Sequence, residues 1–145
     1  MFGVVPPDEG FFAAHIDDID DELVEDGPHG RYASVEVKMM DPVKVATLGT
    51  IVGAGSYDDL VDKMTDSARD AASGECGLFP VPDAIRDGVV QIEDVDEVVR
   101  RWLTTDELRL DQWTNEDTRR LLDELVSLAR EAQREGKHLF VWWSL

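Results

Sequence analysis

The sequence predicts an α+β fold: a small, mainly antiparallel sheet with packed helices, the C-terminal strand central. Three observations carry this. Trp113 to Gly136 reads as a capped amphipathic helix. Leu139 to Trp143 is apolar on both alternating faces, which calls for cover on both sides and an interior place in the sheet. Tyr32 to Met39 alternates apolar and polar residues, the signature of a half-buried strand.

In chain order, Phe2–Val5 reads as a short edge strand. Pro7 and Asp8 then open a helix with Phe12, Ile16, Ile19 and Leu23 on one face, at spacings of four, three and four. The other face of that helix is acidic, with Asp17, Asp18, Asp20, Asp21 and Glu22. Gly27-Pro28-His29-Gly30 is a turn. In the strand that follows, Ala33, Val35, Val37 and Met39 point inward. Asp41-Pro42 is a helix start, cap followed by proline at the first helical position, and Val45, Leu48, Ile51 and Val52 form its buried face.

Gly53-Ala54-Gly55 ends that helix. Ser56 with Asp59 caps a shorter one bearing Leu60, Val61 and Met64. Asp66–Gly77 is small and polar, hence a loop, and Leu78–Val81 is a strand that Pro80 moves towards a sheet edge. Asp83 caps a turn or two of helix through Val89 and Ile92. Asp94 caps another with Val95, Val98, Val99 and Trp102 at core spacing.

Thr114, with Asp117 in capping-box position, starts the last helix, and Leu121, Leu125, Leu128 and Ala132 form its stripe. Gly136 is its natural stop, since glycine takes a left-handed conformation without a Cβ clash. No repeat or linker divides residues 1–145, so one domain is expected.

The closing helix ending in Gly136-Lys137, its apolar last strand, and a strand entering a helix at Val81-Pro82 together resemble the YfbM-type uncharacterised bacterial domain. The resemblance covers about the last 65 residues at most and rests on general helix-and-strand signals. It implies no catalytic residues.

Composition narrows the function classes. Thirty-two acids stand against 14 Lys and Arg, a formal net charge of −18. Nucleic acid and anionic membrane are poor partners, because both need clustered Lys and Arg. A basic protein or a cation is what such a charge attracts; alternatively, the acidity serves solubility in a salty or crowded cytoplasm. No basic, apolar leader opens the chain and no stretch reaches the roughly 20 apolar residues of a membrane span, so a cytoplasmic protein is expected.

Motif chemistry is sparse. The densest candidate is Asp17, Asp18, Asp20, Asp21 and Glu22, read as a footprint for a basic partner or as a solvated helix face. It lacks the glycine of a calcium loop, and no metal is expected there. Gly53-Ala54-Gly55 has Asp58 where a dinucleotide fingerprint needs its third glycine. His15, His29 and His138 show no zinc-binding spacing, and Cys76 has no basic neighbour to activate it. Neither a nucleophile elbow nor a cofactor motif is present.

Two readings stand. The first is a non-enzymatic acidic protein that meets a basic partner through the Asp17–Glu22 segment, as an immunity or antitoxin-like inhibitor would by analogy of charge. The second is a small enzyme or ligand binder using an acid-rimmed pocket beside Trp113, Trp142 or Trp143.

Overall fold

The computed structural model describes residues 9–145, and its strand pairings are all antiparallel. The strands are β1 (Gly10–Ala14), β2 (Ser34–Glu36), β3 (Arg69–Asp70), β4 (Cys76–Val81) and β5 (His138–Ser144). Their spatial order is β2-β1-β5-β4-β3, so the C-terminal strand is central. Its alternation explains why. Leu139 and Val141 enter the larger core with half-buried Trp143, whereas Phe140 and Trp142 enter a smaller core on the opposite face.

The helices are α1 (Asp21–Asp26), α2 (Pro42–Ile51), α3 (Tyr57–Asp66), α4 (Asp83–Val90), α5 (Val95–Leu103), α6 (Asp106–Leu110) and α7 (Asn115–Glu135). From α2 onward they supply the larger core, through Leu48, Leu60, Ile85, Trp102, Leu108 and Leu125 among others. On the other face, α1 contributes Leu23 and Val24 beside Phe12, Leu78 and Phe140. The starts of α2, α3, α5 and α7 are capped as read. The side chains of Asp41, Ser56, Asp94 and Thr114 each accept a backbone N–H three residues on, at 2.8, 3.3, 3.2 and 3.1 Å.

The expected helix carrying Phe12, Ile16, Ile19 and Leu23 does not form. Phe11 and Ala13 belong to the larger core, and Phe12 and Ala14 to the smaller one. Only an extended chain sends consecutive residues to opposite faces, and β1 does so between β2 and β5. Ile16 is 61% exposed on a 3-10 turn at Ile16–Asp18, and the helical segment begins only at Asp21. The acids at 17–22 therefore line a turn and a short helix start rather than one helix face. The expected strand at Phe2–Val5 and helix start at Pro7-Asp8 lie outside the described residues.

Smaller corrections follow from the same ladder. The alternation at Tyr32–Met39 is laddered only at Ser34–Glu36, and Met39 turns outward, 66% exposed at φ 62°. The Asp66–Gly77 loop contains the two-residue β3. β4 is second from the edge, but it bears Pro80 beyond its pairing with β3, where, among the described residues, no strand pairs on that side. Pro82, not Asp83, occupies the cap position of α4.

Two glycines are required by geometry. Gly10 sits at φ 142°, where a Cβ would run into the Val35 carbonyl oxygen, so glycine is what lets β2 close on β1. Gly136 ends α7 at φ 68° in the left-handed region, with open space around it. Gly136→Ala should therefore cost about 1 kcal/mol of stability through backbone strain alone. Urea denaturation measures this; a gain in stability would mean that the chain turns differently there.

Candidate functional site

Among the described residues, pairing along β2 leaves one side of that strand open. Ala33 accepts from the Ala13 N–H at 3.0 Å and Val37 donates to Glu9 at 2.9 Å. Antiparallel alternation then turns the backbone groups of Ala33, Val35 and Val37 towards β1, and those of Ser34 and Glu36 away from it. The side chains obey the same alternation. Val35 is buried in the larger core, while Ser34 and Glu36 are exposed.

Beside this open edge, β2 and α7 enclose a groove of about 530 Å³. Val35, Leu121 and half-buried Trp113 line it, and Trp113 is backed by buried Trp102, the ring centroids 6.4 Å apart. A second hollow continues it along α7 past Ser127 and Leu128. The lining charges are unbalanced: Glu36, Asp111, Asp117, Asp123, Glu124 and Glu131 against Lys38 and Arg120.

Two groove-lining residues, Met39 and Asp111, are tied together by a buried lysine. Lys44, 3% exposed, donates to the Met39 carbonyl at 2.8 Å and to Asp41 at 3.1 Å, and pairs with Asp111. All its donors are thus directed at the loop after β2 and the loop before α7. Each of those loops places a non-glycine residue at positive φ on the groove wall, Met39 at 62° and Gln112 at 59°. Burial works against the Lys44 ammonium. The hydrogen bonds and charges of Asp111 and Asp41 outweigh it, and hold its pKa above the ordinary lysine value of 10.5.

Lys44→Met should lower stability by about 2 kcal/mol, the scale of hydrogen bonds to a charged group. Because the folded pKa is raised, this contribution is fully present below the unfolded value and is lost as pH rises through the folded one. The difference between wild type and variant should accordingly shrink in strongly alkaline buffer. Chemical denaturation across that range checks both statements.

The acids singled out in the sequence lie elsewhere. Asp17 and Asp18 are exposed on the 3-10 turn. Asp20 is the N-cap of α1 and accepts the Leu23 N–H at 2.8 Å. Asp21 pairs with Arg69 at 2.7 Å, and Glu22 is exposed. Since α1 packs on the smaller core and α7 on the larger, this segment and the groove belong to opposite faces of the sheet. Among the described residues, no group of three or more His, Cys, Asp and Glu side chains is placed to hold a metal ion.

The tryptophans also separate. Trp113 lines the groove, but Trp142 is buried and donates to the Val24 carbonyl at 2.9 Å. Trp143 packs over Gly77. His138 pairs with Asp83 at 2.8 Å, away from the groove lining. The Cys76 thiol donates to the Glu25 carbonyl at 3.4 Å. Burial, then the charges of Glu25, Glu75 and Asp26, push its pKa up, away from the thiolate that reactivity needs.

Lys44, Gln112 and Glu124 were not legible as site residues. One signal existed: Lys44 interrupts the apolar face of α2 three residues after its cap, a place a lysine occupies at a cost unless it has partners. Compared with family models, curated proteins and solved structures, the chain shows no match, so its site is read on its own residues.

Proposed function

We propose that the chain is a non-enzymatic binding protein that receives a positively charged protein partner at the groove between β2 and α7. The observation that carries this is an acid-rimmed groove with an apolar floor, set on a sheet edge whose backbone is unpaired among the described residues. A net charge of −18 supports it, because a field of that sign speeds the encounter with a basic surface and repels anionic competitors. An immunity or antitoxin-like inhibitor of a basic enzyme is the kind of protein that combines these properties, and the likeness is one of charge. A small-ligand reading rests on Trp113, whose partly open ring could face a cationic or aromatic group.

Two charge-reversed proteins test the proposal. One carries Asp117→Lys and Glu124→Lys at the groove; the other carries Asp17→Lys, Asp18→Lys and Glu22→Lys on the opposite face. Each change is on an exposed side chain and should move stability by about 0.5 kcal/mol or less apiece. A partner captured by the wild type should associate more slowly with the groove variant, and with a weaker salt dependence. Equal on-rates for wild type and groove variant, with loss confined to the other variant, would return the site to the Asp17–Glu22 segment.

A further inference from the structure

We infer that the groove takes an extended basic segment as an added strand on β2, with Lys or Arg at alternate positions. This deepens the basic-partner reading and rests on it. The backbone groups of Ser34 and Glu36, unpaired among the described residues, offer donors and acceptors at the spacing of a ladder, and both residues line the groove. A strand laid there is hydrogen-bonded through its main chain, and its side chains alternate between the two faces of the extended sheet.

Charge decides what those side chains are. Side chains on the α7 side meet Asp117, Glu124 and Glu131 with Arg120 among them, a wall of net negative charge, while those on the other side meet Glu36. Lysine or arginine on the α7 side can lay its methylene stem over Val35 and Leu121 and bring its charged head to the carboxylates. A second copy of this chain is the poorer occupant, because pairing β2 with β2 would bring the two Glu36 side chains and two strongly acidic bodies together. The shortness of β2 and the charge of Lys38 beside it restrain indiscriminate edge pairing, so the groove acids select the strand that is accepted.

The probe is a short blocked peptide alternating lysine and valine, titrated into the full-length protein by fluorescence anisotropy at low salt. Two further peptides carry N-methyl groups, one on the lysine amides and the other on the valine amides. In a ladder only every second amide faces the neighbouring strand, so one methylated peptide should bind about tenfold or more weakly and the other like the parent. Binding should also slow hydrogen exchange at the Ser34 and Glu36 amides. Ser34→Pro deletes an outward donor without touching a bond to β1 and should weaken the parent peptide in the same way.

If both methylated peptides bind as the parent does, attraction is by charge alone: strand addition is overturned while the basic-partner reading survives. Failure of the parent peptide to bind also overturns strand addition, and the charge-reversal kinetics with the captured partner then decide the broader reading separately. Exchange protection at α1 in place of β2 overturns both. A dimer that Ser34→Pro dissociates would assign the edge to a second copy and overturn the peptide assignment.

Discussion

Removal of His138–Leu145 should leave a chain without a cooperative unfolding transition. β5 is the strand on which both β1 and β4 pair, and its loss would strand each of them without a neighbour on that side. It also carries Leu139, Phe140, Val141 and Trp142, all nearly inaccessible to solvent. At roughly 1.5–3 kcal/mol per large buried side chain, their burial is comparable with the roughly 5–15 kcal/mol that holds a whole domain folded. Near-ultraviolet circular dichroism and a thermal melt test this. A sharp melt close to that of the full chain would contradict the central place of β5.

Trp102→Ala should destabilise by about 3–5 kcal/mol, the range for removing a large aromatic from a core. Trp102 has no solvent exposure, and its indole N–H donates to the Lys44 carbonyl at 3.2 Å and to Thr47 Oγ1 at 3.1 Å. The substitution thus opens a cavity, removes a tie from α5 to α2, and leaves Trp113 without the ring that backs it. Two readouts separate these effects: urea denaturation for stability, and the fluorescence of Trp113 for the groove floor. Trp102→Phe should recover part of the packing but not the hydrogen bond. A loss of less than about 1 kcal/mol for the alanine variant would imply that the site collapses to fill the cavity.

The C-terminal third was legible because its signals are local. Thr114 and Gly136 bound α7 by backbone chemistry that acts within a few residues, and an apolar Phe140 next to an apolar Val141 already implies two covered faces. The first third misled for a corresponding reason. Phe12, Ile16, Ile19 and Leu23 have helical spacing, but Phe11-Phe12-Ala13-Ala14 finds its partner in β5, more than a hundred residues away. Tertiary pairing overrode the local period. Met39 fits the alternation of its neighbours, yet the Lys44 hydrogen bond to its carbonyl holds a bend there.

The groove was less legible still. Trp113 was among the candidate pocket residues, but nothing in the order of the chain shows that Val35 and Glu124 share a wall. That proximity exists because β2 pairs with β1, β1 with β5, and α7 feeds directly into β5. Acid counts pointed to Asp17–Glu22 because density along the chain is easy to see. Convergence in space is not.

The placement of β5 has a consequence for how the protein is made. Gly10 pairs with Trp142 and Ala14 with His138, contacts that span most of the chain, so the sheet has a high contact order. During synthesis β1, carrying Phe11 and Phe12, emerges before β5 and has to wait for its permanent neighbour until α7 and then β5 have left the ribosome. Over that interval the nascent chain exposes an apolar strand that cannot yet be paired on the β5 side, the kind of segment that aggregates or recruits chaperones. The dense acids that follow at Asp17–Glu22 place like charges beside that strand on every copy, so nascent chains repel one another where they are stickiest.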